Sequence, residues 1–186
     1  MLHLGFSPVL VLVLGASLGA AFPRHALKKS CSLSKYQFLA PHELKAVQTM
    51  KEQFEAIMPL SNRMCNTMLF HRKWSTAELS MPDRVMLVEA ELDLATTMLQ
   101  LPATPRFAET RQRPLAFLTQ AREDLRGCVA TEAPSHQPSK KLAHWLQKLQ
   151  MAKKTETTGC LEASAILHIF QVLNDLRCAA LRQQWA

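Results

Sequence analysis

The sequence predicts an all-α domain, and three observations carry that reading. Apolar residues recur at three- and four-residue spacing in several separate stretches, whereas no stretch alternates apolar and polar residues as a half-buried strand does. Prolines punctuate these stretches at Pro41, Pro59, Pro82, Pro102 with Pro105, Pro114, and Pro134 with Pro138, so helices are expected to begin or end there. Beyond residue 21 only Gly127 and Gly159 supply glycine, and hairpin turn pairs such as Asn-Gly are absent.

The first helix is expected over Pro41–Met58, with Leu44, Val47, Met50, Phe54, Ile57 and Met58 on one side and Gln48, Glu52 and Glu55 facing away. Leu60–Met81 holds no steady period and reads as a long connection with a short helix inside it. Ser80 and Asp83 then form a variant capping box with Pro82 in the first turn. Behind them Val85, Val88, Leu92, Ala95 and Leu99 repeat three-four-three-four, predicting a helix to about Leu101. Thr110–Ala130 carries Leu115, Leu118, Ala121 and Leu125 at similar spacing. Ser139 caps a shorter helix to Met151 whose apolar face is Leu142, Trp145, Leu146 and Leu149. Thr131–Ser139 and Ala152–Thr158 read as loops.

Gly159–Cys178 is the most apolar segment and is expected to be one central helix. Leu161, Ala165, Ile166, Ile169, Phe170, Val172, Leu173 and Leu176 fill well over half of its wheel. Ser164, His168, Gln171 and Asp175 make a polar stripe, and Leu167 sits where stripe and arc meet. The whole is four main helices with shorter ones between them, and its long crossovers allow neighbouring helices to run parallel, up-up-down-down.

Met1–Ala21 reads as a secretory signal, with an apolar run at Val9–Leu14, small residues at Gly19-Ala20-Ala21, and Phe22-Pro23 following. Its apolar run is too short to span a bilayer core of about 30 Å. Residues 22–186 then form a single extracellular domain, with no membrane insertion. The formal net charge of +7 lies wholly outside the leader, which has no Lys, Arg, Asp or Glu. Basic residues are dispersed with no dense run and little aromatic interleaving, which argues against nucleic acid and leaves weak association with acidic cell-surface glycans. Five cysteines (Cys31, Cys65, Cys128, Cys160 and Cys178) imply two disulfides and one leftover thiol, without fixing the pairing.

Catalytic patterns such as GxSxG or HExxH are missing, and no His stands at ligand spacing from a Cys, so neither an enzyme nor a metal or cofactor site is expected. Glu89, Glu91 and Asp93 point in different directions around one helix and read as a solvated face. Surface recognition by a disulfide-stapled bundle is what remains.

The segments CSLSKYQFLAPHELKA, LFHRKW, LVEAELDLA, HWLQKLQ and GCLEASAILHIF…LNDLRC, in this order over nearly all of residues 22–186, resemble the interferon lambda family, the type III interferons among the class II helical cytokines. The resemblance implies a compact helical cytokine bundle of about six helices, monomeric and secreted. It implies binding to a private interferon lambda receptor chain and to a shared interleukin-ten receptor beta chain, leading to JAK-STAT signalling and an antiviral state. The alternative is another class II helical cytokine with a different receptor pair.

Carried over residue by residue, the private chain would meet Pro41, Leu44, Lys45, Gln48 and Lys51 on the first helix, and Leu167 and Phe170 on the last. Trp74 matches a loop tryptophan that is either a contact or buried support. The shared chain would meet the first helix and the helix around Thr110–Ala130. The resemblance implies the pairs Cys31–Cys128 and Cys65–Cys160. Trp185 stands where the family commonly has a further cysteine, which leaves Cys178 as a free thiol. Leu167 replaces an aromatic contact residue of mammalian members, which shifts the expected weight onto Phe170 and the first helix.

Overall fold

The computed structural model describes residues 31–132 and 134–181, so the predicted leader and Trp185 lie outside the described residues. Six α-helices follow in order: α1 Pro41–Ile57, α2 Met81–Leu99, α3 Pro105–Glu132, α4 Lys140–Thr155, α5 Thr158–Leu167 and α6 Ile169–Ala180. Single 3-10 turns occupy Ser34–Tyr36, Leu60–Arg63 and Thr76–Glu78, and no strand occurs among the described residues. The molecule is a compact helical cytokine-type bundle in which α2 packs on α3, α4, α5 and α6, while α1 packs on α3 and α5.

Local chemistry sets most of the starts. Pro41 and Pro82 sit in first turns, where a missing N–H costs nothing. Ser80, Ser139 and Thr157 each accept a backbone N–H three residues on, from Asp83, Leu142 and Cys160, and each such cap stabilises by about 1 kcal/mol. Helix α2 is the hub: Leu87, Val88, Leu92 and Leu99 are fully buried, each contributing roughly 1.5–3 kcal/mol of transfer free energy.

Four expectations need correction. Pro114 lies inside α3 rather than at a boundary, buried on the same face as Leu118, Ala121 and Leu125. Burial along that face offsets the lost backbone hydrogen bond. Helix α3 also begins earlier than Thr110, because Phe107 is buried against Phe54 with ring centroids 5.8 Å apart. Helix α4 continues to Thr155, into the stretch read as a loop, since Ala152 is fully buried and Lys153 Nζ pairs with Asp93 Oδ2 of α2 at 3.0 Å.

The largest correction concerns Gly159–Cys178, which is two helices and not one. At His168 the backbone leaves the helical region (φ −99°, ψ 15°) and its N–H turns to the carbonyl of Ile166. The imidazole Nδ1–H instead donates to the carbonyl of Ser164 at 2.8 Å, taking the acceptor that an unbroken helix would use for the backbone. A side chain competing for the carbonyl four residues upstream therefore divides the segment.

Bridges join Cys31 to Cys128, tying the N-terminal segment to α3, and Cys65 to Cys160, tying the α1–α2 connection to α5. They span 97 and 95 residues, and loops of that length correspond to about 4–5 kcal/mol each in the chain-entropy account. Cys178 makes no bridge; it is half-buried, and burial pushes its thiol above the ordinary cysteine range.

Candidate functional site

Two surfaces of the α5–α6 pair differ in chemistry. The first is the polar stripe. It packs against the connection from Leu69 to Thr76, with Ser164, His168 and Gln171 half-buried and Asp175 fully so. His168 stacks on Phe70 with centroids 4.9 Å apart and planes 8° from parallel, and Gln171 Nε2 donates to the Phe70 carbonyl at 3.1 Å. Burial holds the His168 imidazole below the ordinary histidine range, and the Ser164 carbonyl, which can only accept, requires the proton on Nδ1. Asp175 is buried, accepts from Thr76 Oγ1 at 2.5 Å and pairs with Arg72.

Arg72 is the centre of this interface. Its guanidinium also meets Glu91 of α2, Nη1 to Oε1 at 3.1 Å, and it lies over the Trp74 ring with Cζ 4.8 Å from the centroid. Glu91 is therefore no solvated-face residue: its side chain is 0% exposed. The sequence period missed this because a long connection, and not solvent, covers that side of α2. Burial and the neighbouring Asp175 carboxylate push Glu91 well above the ordinary glutamate range, against the pull of Arg72. One cation thus faces two buried carboxylates, and that excess of negative charge favours the protonated form of Glu91.

The second surface is an open apolar groove of about 460 Å³ between the N-terminal segment, α1 and α6. Leu39, Leu44 and Leu173 line it along with Phe38 and Phe170, while Asn174 and Arg177 are its polar members. Phe38 is 83% exposed and Phe170 36% exposed. The segment bearing Phe38 is pinned to the end of α6, since Gln37 Nε2 donates to the Ala180 carbonyl at 2.9 Å and Arg177 Nε donates to the Gln37 carbonyl at 3.3 Å. Tyr36 anchors it from the other side, its hydroxyl donating to Asp124 Oδ2 at 2.7 Å.

Of the residues singled out from the sequence, Leu44 and Phe170 come together in this groove. Pro41, Lys45 and Gln48 are exposed on α1; Lys51 is half-buried. Gln48 and Lys51 reach along the helix to Glu52 and Glu55 at 2.5 and 2.6 Å. Leu167 is half-buried against the core. Trp74 does not join Phe170: it lies beside Arg72 and Trp145, on a separate groove. Phe170, placed by the wheel within the core arc, stands at the edge of that arc and is partly exposed, opening into the groove rather than the core. Phe38, Leu39, Asn174 and Arg177 were not singled out at all. The available signal was the Phe38-Leu39 pair directly before the Pro41 helix start, an apolar pair with no periodic segment to absorb it.

Among the described residues no cluster could hold a metal, and no helix is long and apolar enough to cross a membrane. The chain's similarities are consistent along its length. A family model described as Interleukin-28A matches residues 28–182. Interferon lambda-3 of Gallus gallus is 70% identical over 98% of this chain and 98% of its own length. Interferon lambda-1 of Homo sapiens is 30% identical, covering 92% of this chain and 88% of its own, and interferon lambda-2 of Mus musculus is 31% identical, covering 82% and 80%. An all-helical bundle, its open apolar groove and these matches together lead to one conclusion: the chain belongs to the interferon lambda family, the type III interferons, which are cytokines acting through receptors and not enzymes.

Proposed function

We propose that this protein is secreted and acts by joining two receptor chains, the private interferon lambda receptor chain and the shared interleukin-ten receptor beta chain. Their association triggers JAK-STAT signalling and an antiviral response. The observation that carries the reading is the groove of Phe38, Leu39, Leu44 and Phe170, which leaves Phe38 largely in water and Phe170 partly so beside a continuous apolar floor. Exposed aromatic residues beside an apolar floor are what a partner's side chains fill.

In this reading the private chain seats on that groove. Pro41, Lys45, Gln48 and Lys51 extend the contact along α1, and Leu167 supports its α5 end. Trp74 supports the loop by holding Arg72 in place and does not touch the same receptor surface as Phe170. The shared chain meets α1 and α3. Cells carrying both receptor chains and a STAT-driven reporter should respond to the oxidised protein and fall silent when either chain is deleted. A response that survives deletion of the private chain, or no response with both present, would overturn the proposal.

A further inference from the structure

We infer that the groove between α4 and the His71–Trp74 connection is a binding site for a linear sulfated glycan. This goes beyond receptor assembly and concerns a surface that shares no lining residue with the Phe38–Phe170 groove. The groove measures about 260 Å³ and is lined by Lys141, His144 and Lys148 of α4, facing His71, Lys73 and Trp74. Lys141, His144 and Lys148 fall at three- and four-residue spacing, so they form one row about 10 Å long on the helix.

The row has little to neutralise it. Helix α4 carries five lysines and no Asp or Glu from Lys140 to Thr155. The nearby acids Glu91 and Asp175 are consumed inside the fold by Arg72. Lys141 meets Glu78 at 3.0 Å, but both side chains are about half exposed, and such a pair gives way readily to a stronger anion. Lys148 Nζ gives one proton to the Met68 carbonyl at 2.8 Å and keeps two for a ligand. No carboxylate pairs with Lys73 among the described residues. Surfaces selected only for solubility intersperse both signs, whereas the residues lining this groove include no carboxylate.

Shape and chemistry select among polyanions. A concave channel with cations on both walls suits a single extended chain and presents its ammonium groups poorly to a flat bilayer. Stacked nucleotide bases need open aromatic faces. Here Trp74 has Arg72 against its ring, and Trp145 is buried with its indole N–H donating to the Leu69 carbonyl at 2.9 Å. Sulfate groups need only the ammonium and imidazole donors that the channel offers.

The test uses the full secreted protein with heparin as probe. Titrations at several salt concentrations compare the parent with K73Q/K141Q and with R106Q/K154Q, a control that removes equal charge from exposed positions elsewhere. The groove variant should lose affinity about tenfold or more and show a flatter salt dependence, while the control stays within about twofold of the parent. Equal losses in both variants would overturn the site, leaving only diffuse attraction to net charge. Retained affinity in K73Q/K141Q would overturn it as well. Fully desulfated heparin, phosphatidylserine vesicles, poly-glutamate and single-stranded DNA serve as competitors. Competition by any of them as strong as that of heparin would overturn the assignment to sulfated glycan.

Discussion

Two residues of α6, Asp175 and Phe170, depart from the usual arrangement of a bundle helix, on opposite sides. One side buries its charge: Asp175 sits with Arg72, Glu91 and Thr76 beneath the α1–α2 connection. The other side exposes its aromatic: Phe170 opens into a groove with Phe38 and Leu44. Scattered exposed apolar residues are ordinary, but one helix that contributes both to a buried ion cluster and to an exposed aromatic groove is informative. The buried side fixes a long connection that has little regular structure of its own. The open side is left for another molecule. A single helix thus separates the part of the surface that must hold still from the part that must be read.

The contrast breaks most severely at Arg72. Replacing it with Ala leaves Glu91 and Asp175 buried without their cation, and we expect a loss of about 3–5 kcal/mol of stability, seen as a lowered midpoint in urea. If the loss is below about 1 kcal/mol, the cluster does not hold the connection. Phe170→Ala probes the opposite side. It should weaken private-chain binding by about 2 kcal/mol, roughly thirtyfold, with little change in melting temperature, since the ring is already partly in water. A matching loss of thermal stability with unchanged binding would make Phe170 a packing residue instead.

Glu91→Gln sharpens the buried side. The folded protein holds a proton on Glu91 to higher pH than the unfolded chain does, because burial and Asp175 raise it. That contribution is complete below the ordinary glutamate value of about 4.3 and fades as pH climbs through the raised folded value. The parent should therefore lose stability across that rise, and the Gln variant should lose less; urea midpoints from pH 4.5 to 8 would show it. Parallel curves for the two proteins would mean that Glu91 stays ionised. The smallest effect is expected at Cys178→Ser, within about 0.5–1 kcal/mol and without loss of receptor binding, because the thiol is half-buried and unbridged. A mass map of the parent showing Cys178 in a bridge would contradict it.

Much of the bundle was legible because capping and periodicity are local. Ser80 with Asp83 and the Val85–Leu99 repeat place α2 to within two residues at its end, and Ser139 places the start of α4. The misses share one cause. Phe107 draws residues before Thr110 into α3, Ala152 and Lys153 carry α4 past Met151, and Pro114 stays inside a helix, each through contacts with residues far along the chain. The groove was half legible. Leu44 and Phe170 were singled out by resemblance, but Phe38 and Arg177 join them only through the hydrogen bonds at Gln37.

The amino-acid order alone determined the all-helical class, most helix starts and the family, because caps, spacing and motif order are written within a few residues of one another. Tertiary structure decided which face of each helix meets water. Asp175 of the polar stripe became interior because a non-repeating connection folds over it, and Phe170 is left partly exposed where the N-terminal segment and α1 flank α6 without covering it. Burial depends on what lies opposite, and what lies opposite these residues is about a hundred positions away in the chain.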